Sequence, residues 1–268
     1  MAIERVTFDA LLAQERQAWR KTWLIACVIG LAVLVSAGGT ELLNVQRLGE
    51  GLPAIGILIG EMFPPNFSNA QTWIRPIFDT LGMSIAGTAL AVLLSLPLGF
   101  LAARNTTPNL AIYHCARVVL NFLRSIPELI MGIIFVAAVG FGPLPGVLAL
   151  GLHSAGMVAK FFAEAIEHVD HRPIEAAEAA GASKLQVIQY AILPQVLPQF
   201  ADVTVYRWEY NFRASTVMGM VGAGGIGLEL MSSLRIMDYT EVSAILIAIL
   251  VMVTMVDSIG AICRKSLV

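Results

Sequence analysis

Residues 207 to 216 read Arg-Trp-Glu-Tyr-Asn-Phe-Arg-Ala-Ser-Thr, and this polar run lies inside an otherwise apolar stretch, Val196 to Val221. Charges at membrane depth are expensive, so they face a cavity or a partner and mark function by default. Arg207 and Arg213 stand nearly two helical turns apart. A guanidinium keeps its charge and offers a planar fork of donors, which suits the oxygens of a compact anion. Asn211, Ser215 and Thr216 add neutral donors and acceptors on the same segment. The chemistry on offer is anion recognition, at Arg213, the deeper residue, before Arg207. Glu209 is free to pair with a neighbour. The plainer alternative keeps Asp202, Arg207 and Glu209 in the headgroup zone, with Arg213 snorkelling towards it.

Bond-breaking constellations are missing. The chain contains no His-Glu-x-x-His, no Gly-x-Ser-x-Gly and no Gly-x4-Gly-Lys-Ser/Thr. Glu164 and His168 share a helix face, but such a pair at a membrane boundary reads as solvated or structural rather than metal-binding. Cys27, Cys115 and Cys263 are scattered without ligand spacing and read as free thiols. No catalytic residue, metal or cofactor is assigned to this chain. Any energy drawn from a nucleotide would have to come through a separate ATPase.

A second polar island runs from Arg172 to Pro194. Pro173 suits a first helical turn, and Glu175 and Glu178 favour the positive end of that helix. Gly181 ends it in a left-handed residue. Ser183 and Gln186 have capping-box spacing for a second helix, with Leu185, Ile188 and Ile192 on one side and Pro194 as its stop. Ala176, Ala177, Ala179 and Ala180 keep the first helix slim, so a partner surface can approach its backbone. Such a hairpin buries little alone and is built to be held by another subunit.

Composition sets the frame for both islands. Of 268 residues 57% are hydrophobic and 13% charged, about half the charged share of a soluble protein. A net charge of −2 argues against nucleic-acid binding. The sequence predicts an all-α polytopic membrane protein with six spans. Trp23 to Ala37 is the first, a retained anchor preceded by charged residues 1–21, where Trp19 and Trp23 sit at headgroup level. Leu52 to Phe63 reads as a helix along the membrane surface, ended by Pro64-Pro65. Thr80 to Ala103 is the second span. The third starts near Leu110 and runs through Ser125-Ile126-Pro127-Glu128 to Val139. Glu128, like Asp257 later, reads as a structurally paired or capping charge. Val147 to Ala163 is the fourth, with His153 and Lys160 inside it. Val196 to Val221 is the fifth, broken by Gly222-Ala223-Gly224-Gly225-Ile226-Gly227, a gate or extracytoplasmic turn. Residues 228–241 read as a mixed loop, and Val242 to Ile262 as the sixth span. The division is 1–21, a cytoplasmic segment; 22–75, the first membrane helix with its extracytoplasmic loop; and 76–268, the core, with the hairpin at 170–194.

Positive charge orients these spans. With the N-terminus in the cytoplasm, Arg5, Arg16, Arg20, Lys21, Arg104, Arg117, Arg172, Lys184, Arg264 and Lys265 all fall on that side. Only Arg47, Arg75 and Arg235 fall on the other. The hairpin and both termini are then cytoplasmic.

Glu175-Ala176-Ala177, then Gly181 after three residues, then Leu193-Pro194, resembles the EAA loop of bacterial ABC importer permeases, with Ala191 where that pattern usually has Ile. The run Arg207-Trp208-Glu209, Asn211, Arg213-Ala214-Ser215-Thr216 and Val221 to Gly227 is similar to phosphonate importer permeases. Arg124 to Leu129 and Met62-Phe63-Pro64-Pro65 point the same way. The resemblance implies a type I importer permease, with a five-helix core plus an N-terminal helix, in the bacterial inner membrane. It implies a homodimer, two cytoplasmic ATPases carrying ATP and Mg, and an extracytoplasmic substrate-binding protein. Glu175, Ala176, Ala177, Gly181, Ala182, Leu193 and Pro194 become the coupling residues, and Gly222, Gly224, Gly225 and Gly227 the gate. The passenger expected is a phosphonate, with Arg213 first and Arg207 second lining the translocation path beside Asn211, Ser215 and Thr216. Phosphate or phosphite obeys the same physics, whereas a methionine-type permease leaves the two arginines unexplained. An intramembrane enzyme or a passive channel would work without an ATPase.

Overall fold

The structure, a computed structural model, describes residues 8–42 and 44–267. Residues 1–7, including Arg5 of the charge argument, lie outside the described residues. The chain divides into two units, Met1–Glu61 and Met62–Val268.

In the first unit, α1 spans Phe8–Gly39 and α2 Val45–Glu61. The surface helix expected from Leu52 thus starts seven residues earlier, at Val45. The reason is a cap: Asn44 Oδ1 accepts the Arg47 backbone N–H at 3.1 Å. None of the α2 side chains is buried.

The second unit holds the described core. Its helices are α3 Ile74–Ala102, α4 Leu110–Ser125, α5 Glu128–Val139, α6 Pro143–Glu167, α7 His171–Ala179, α8 Lys184–Val187, α9 Leu193–Met218, α10 Ile226–Arg235 and α11 Tyr239–Leu267. No strand occurs among the described residues. Gln14–Gly39, Ile74–Ala102, Pro143–Glu167 and Tyr239–Ser266 are each long and apolar enough to cross a membrane, and two bent helix pairs raise the possible total to six.

Helix α6 is the centre, with α3, α4, α5 and α9 packed round it. It can be surrounded because it presents small residues: Gly146, Ala149, Ala155, Gly156, Ala159 and Ala163 are all buried. Lipid tails are as apolar as leucine, so helices in a membrane associate by close packing and interhelical hydrogen bonds rather than by hydrophobic gain. A Cβ on Gly99 of α3 would lie 2.9 Å from the Phe162 Cβ, and one on Gly156 would lie 2.9 Å from the Leu120 carbonyl oxygen. Ser95 Oγ adds a bond to the Ala155 carbonyl at 3.1 Å. Below this layer Phe162 stacks on Phe200, ring centroids 3.8 Å apart.

Two expected elements differ. The third span is not one helix: α4 and α5 meet at 85°. Pro127 has no N–H to continue the ladder, and it holds Ile126 extended, φ −91°, ψ 118°. The expected loop at 228–241 is largely helix α10, because Ile226, Leu230 and Ser233 recur at helical spacing and are buried. Asp238 then caps α11, accepting the Glu241 backbone N–H at 3.0 Å. That bond, with the Thr240 hydroxyl, holds the Asp238 carboxyl below its ordinary range.

Gly99→Val tests the close packing of α3 on α6. Forcing two methyls against Phe162 is expected to cost about 1–3 kcal/mol, read as a lower melting point of the purified protein in detergent, while Gly82→Val, where nothing lies within 4 Å, has a much smaller effect.

Candidate functional site

Helical spacing sorts the polar run of α9 into two faces. Arg207, Asn211 and Ser215, four residues apart, are buried, whereas Arg213 is exposed and Thr216 half-buried. The buried face forms a directional chain across three helices. Arg207 Nε donates to Ser154 Oγ at 2.8 Å, and Ser154 Oγ donates to Asn211 Oδ1 at 2.8 Å. Asn211 Nδ2 donates to Thr88 Oγ1 at 2.9 Å, which donates to the Ser84 carbonyl at 2.7 Å. Ser215 Oγ lies 2.7 Å from the Phe212 carbonyl oxygen of its own helix and 3.2 Å from the Thr80 carbonyl oxygen of α3, whereas Thr216 Oγ1 donates to the Arg213 carbonyl at 2.7 Å within its own helix.

Arg207 is 4% exposed. Its guanidinium carbon lies 4.1 Å from the Tyr210 ring centroid, a cation–π contact. Its Nη2 is buried without a hydrogen-bond partner among the described residues. Tyr210 in turn donates its hydroxyl to Glu128 Oε1 at 2.7 Å. Glu128 Oε2 lies 3.2 Å from His153 Nε2, and His153 Nδ1 lies 3.0 Å from the Ile126 carbonyl oxygen. The break between α4 and α5 therefore supplies an acid and a carbonyl to the interior of the bundle.

Two of the remaining α9 charges are matched by α11, while Asp202 is exposed. Arg213 Nη2 meets Asp257 Oδ1 of α11 at 2.6 Å, both side chains about half exposed. Buried Glu209 meets Arg264 Nη1 at 2.6 Å. Glu209 lies across Gly260, where a Cβ would run into its carboxylate.

At one end of the bundle the hairpin follows its caps. Asp170 Oδ1 accepts the Arg172 N–H at 3.0 Å to open α7. Gly181, φ +83°, closes it with the paired bonds of a Schellman turn, Gly181 N–H to the Glu178 carbonyl and Ala182 N–H to the Ala177 carbonyl. The Ser183–Gln186 capping box opens α8. Glu175 and Ala176 are exposed; Ala177 and Ala182 half-pack on the core. Glu175, Glu178, Lys184 and Ile188 face Asn105 and Thr107 of the α3–α4 turn across a cleft of about 360 Å³.

Two details of the hairpin depart from expectation. Pro194 does not stop the second helix. A widened π-turn over Ile188–Ile192, closed by the Leu193 N–H on the Ile188 carbonyl, leads α8 straight into α9, with Pro194 in the first turn where an N–H is dispensable. Leu185 is also turned outward, 73% exposed, because Val187, Ala191 and Ile192 carry the buried face.

At the other end Gly222, Gly224 and Gly225 have φ of +102°, +78° and +74°, and α10 leaves at 58° to the helix before it. Only this positive-φ run lets the chain turn so abruptly. Gly142 N–H bonds the Gly222 carbonyl at 3.2 Å, tying the α5–α6 turn to the break. Gly227 sits under the Thr216 carbonyl with no room for a Cβ.

Comparison with known proteins decides the family. Residues 95–267 match the binding-protein-dependent transport system inner membrane component family. The chain belongs to it: it is the permease subunit of an ABC importer. The permease is 65% identical over 247 residues to the phosphite transport system permease protein PtxC of Stutzerimonas stutzeri, covering 92% of this chain and 90% of that one. It is 40% identical over 236 residues to the phosphate-import permease protein PhnE of Mycolicibacterium smegmatis, covering 88% of this chain and 44% of the other. Its fold matches that in an inward-facing structure of the MetNI methionine ABC transporter, TM-score 0.65 at 23% identity, covering 73% of this chain and 96% of that one. The all-α importer-permease architecture is thus the observed one, in a family of inner-membrane components.

The permease brings Arg207, Asn211 and Ser215 to the bundle interior and leaves Arg213 and Thr216 outside the buried chain. Sequence reading did not join Thr88, Ser154 or Tyr210 to this site. Single hydroxyls in apolar spans give no signal, although His153 within a span and Glu128 beside Pro127 were visible.

Gly181→Val tests the turn by itself, since nothing lies within 4 Å of the added Cβ and only the backbone objects. The strain is about 1–2 kcal/mol, expected to lower ATPase co-purification or to uncouple ATP hydrolysis from uptake, with Gly181→Asn much milder.

Proposed function

We propose that this permease carries a small phosphorus oxyanion of the phosphite and phosphonate class, and that Arg207 is the side chain the anion meets inside the membrane. The observation that carries this reading is the buried Nη2 of Arg207, held in place by Ser154 and Tyr210 yet without a hydrogen-bond partner among the described residues. A buried polar group left unpaired is costly, so its retention favours a transient partner of negative charge. The likeness to a phosphite permease over nearly the whole chain, and to phosphate and phosphonate permeases, agrees with that chemistry. Arg213, paired with Asp257 on the open side, lines the approach with Thr216, while Asn211 and Ser215 hold α9 in register.

Two copies of the permease form the path. A cytoplasmic ATPase, carrying ATP and Mg, grips each hairpin at Glu175, Ala176, Ala177, Gly181 and Ala182. An extracytoplasmic binding protein delivers the anion at the opposite end, and both chain termini are cytoplasmic. Closure of the ATPases pushes the hairpins, and because α8 runs on into α9, that push reaches Arg207 along one continuous helix. Gly222, Gly224, Gly225 and Gly227 form the hinge at its far end. No step in this scheme requires chemistry from the permease itself.

The test is uptake of phosphite and of methylphosphonate by vesicles holding the permease, its ATPase and its binding protein. Arg207→Gln is expected to cut uptake by about ten- to a hundredfold, the worth of one charge-assisted hydrogen bond, with assembly intact. Arg213→Ala is expected to reduce it less. Undiminished uptake in Arg207→Gln would remove Arg207 from the path; absent transport of both anions would remove the substrate class.

A further inference from the structure

We infer that the anion's route from Arg207 towards the hairpin end of the bundle runs along the seam between α4 and α6, where Arg124 is the next cation it meets. The inference rests on the reading of Arg207 as the anion-binding residue, and it gives a role to charges which that reading leaves unused.

Helix α4 has three faces rather than two. Tyr113, Ala116 and Leu120 are buried. Ala111, Cys115, Val118 and Phe122 are exposed and apolar, a stripe suited to lipid. His114, Arg117, Asn121 and Arg124, spaced by three, four and three residues, form a third stripe between these two. His114 and Asn121 are exposed, and Arg117 and Arg124 half-buried. A helix packed only against protein and lipid needs no such stripe. Polar groups at membrane depth face a partner, the bundle interior or water.

Contacts with α6 set the depth of this stripe. A Cβ on Gly156 would lie 3.0 Å from the Arg124 backbone nitrogen. Counted from Pro143, Gly156 is the fourteenth of the 25 residues of α6, at its middle. At the other end Arg117 Nη2 meets Glu167 Oε1 at 3.0 Å, four residues before α7 begins. Lys160 and Glu164, 3.6 Å apart and partly exposed, lie between these two contacts on a helix that is otherwise mostly buried. The seam thus descends about 16 Å from mid-bundle to the hairpin end. Its inner end adjoins the Arg207 site: Ser154, which accepts from Arg207 Nε, is two residues from Gly156.

The charges along the seam are graded. Arg117 and Lys160 each face a carboxylate, whereas Arg124 has no ion pair among the described residues. A half-buried guanidinium without a counter-charge repeats the feature that singles out Arg207. Side chains lean towards the N-terminus of their helix, which for α4 is the hairpin end. An anion leaving Arg207 therefore meets an unmatched cation first, then cations already matched by Glu164 and Glu167. That order favours onward release over retention.

The experiment uses the importer assembled with its ATPase and binding protein in vesicles, with phosphite as the probe. Arg124→Gln is expected to lower uptake about tenfold, the worth of one charge-assisted hydrogen bond, and Arg124→Lys to recover most of that loss. A second measurement is independent of transport. In a chain carrying Cys27→Ala, Cys115→Ala and Cys263→Ala, Asn121→Cys is expected to react with a negatively charged methanethiosulfonate about tenfold faster than Phe122→Cys, because a thiol in apolar surroundings keeps its proton. The proposal is overturned by undiminished uptake in Arg124→Gln, by Arg124→Lys doing no better than Arg124→Gln, or by equal labelling at the two positions. Undiminished uptake in Arg207→Gln would instead overturn the underlying site assignment, so the two failures are distinct.

Discussion

A charged side chain in a low-dielectric interior must be met by something, and this requirement orders the permease core. Helix α9 carries Asp202, Arg207, Glu209 and Arg213 along a length that would otherwise be an ordinary apolar rod. Two of these are met by α11, through Arg264 and Asp257. Arg207 is met only in part, by a serine hydroxyl and an aromatic face. The matched pairs fix where α11 stands against α9. The incompletely matched one leaves a buried donor without a partner among the described residues.

Close packing makes that arrangement possible. The hydroxyl chain from Arg207 to Ser84 crosses α9, α6 and α3, and it closes only because α3 and α6 approach to glycine distance at Gly87 and Gly99. Small residues and polar bonds are complementary here: the former bring backbones together, and the latter choose the register. A bulkier α6 would separate the helices and strand Asn211, which is wholly buried.

The hairpin end is built with a similar economy. The hairpin is exposed along α7, yet its second arm is not a separate element but the first turns of α9. The π-turn before Pro194 is the device that allows this continuity, since a widened turn accommodates a residue lacking an N–H. The exposed arm is thus continuous with the helix that holds Arg207, and the glycine break beyond Met218 ends that helix.

Much of this was legible in the chain itself. Apolar run lengths fixed the class, and local caps fixed the hairpin, because the bonds of Gly181, Ser183 and Gln186 all close within a few residues. The presence of charges on α9 was equally plain. Which of them is buried was not. Arg213 lies deeper in the apolar run, but α11 brings Asp257 to it, while Arg207 turns towards α6 and finds no carboxylate. Such pairings join residues more than forty positions apart, and helical period alone cannot assign them. The same holds for Glu128, whose partners exist only because Pro127 bends the third span and aims the acid inward. Sequence determined what each segment is and how it ends; tertiary packing decided which charge meets which, because that depends on helices meeting across the bundle rather than along the chain.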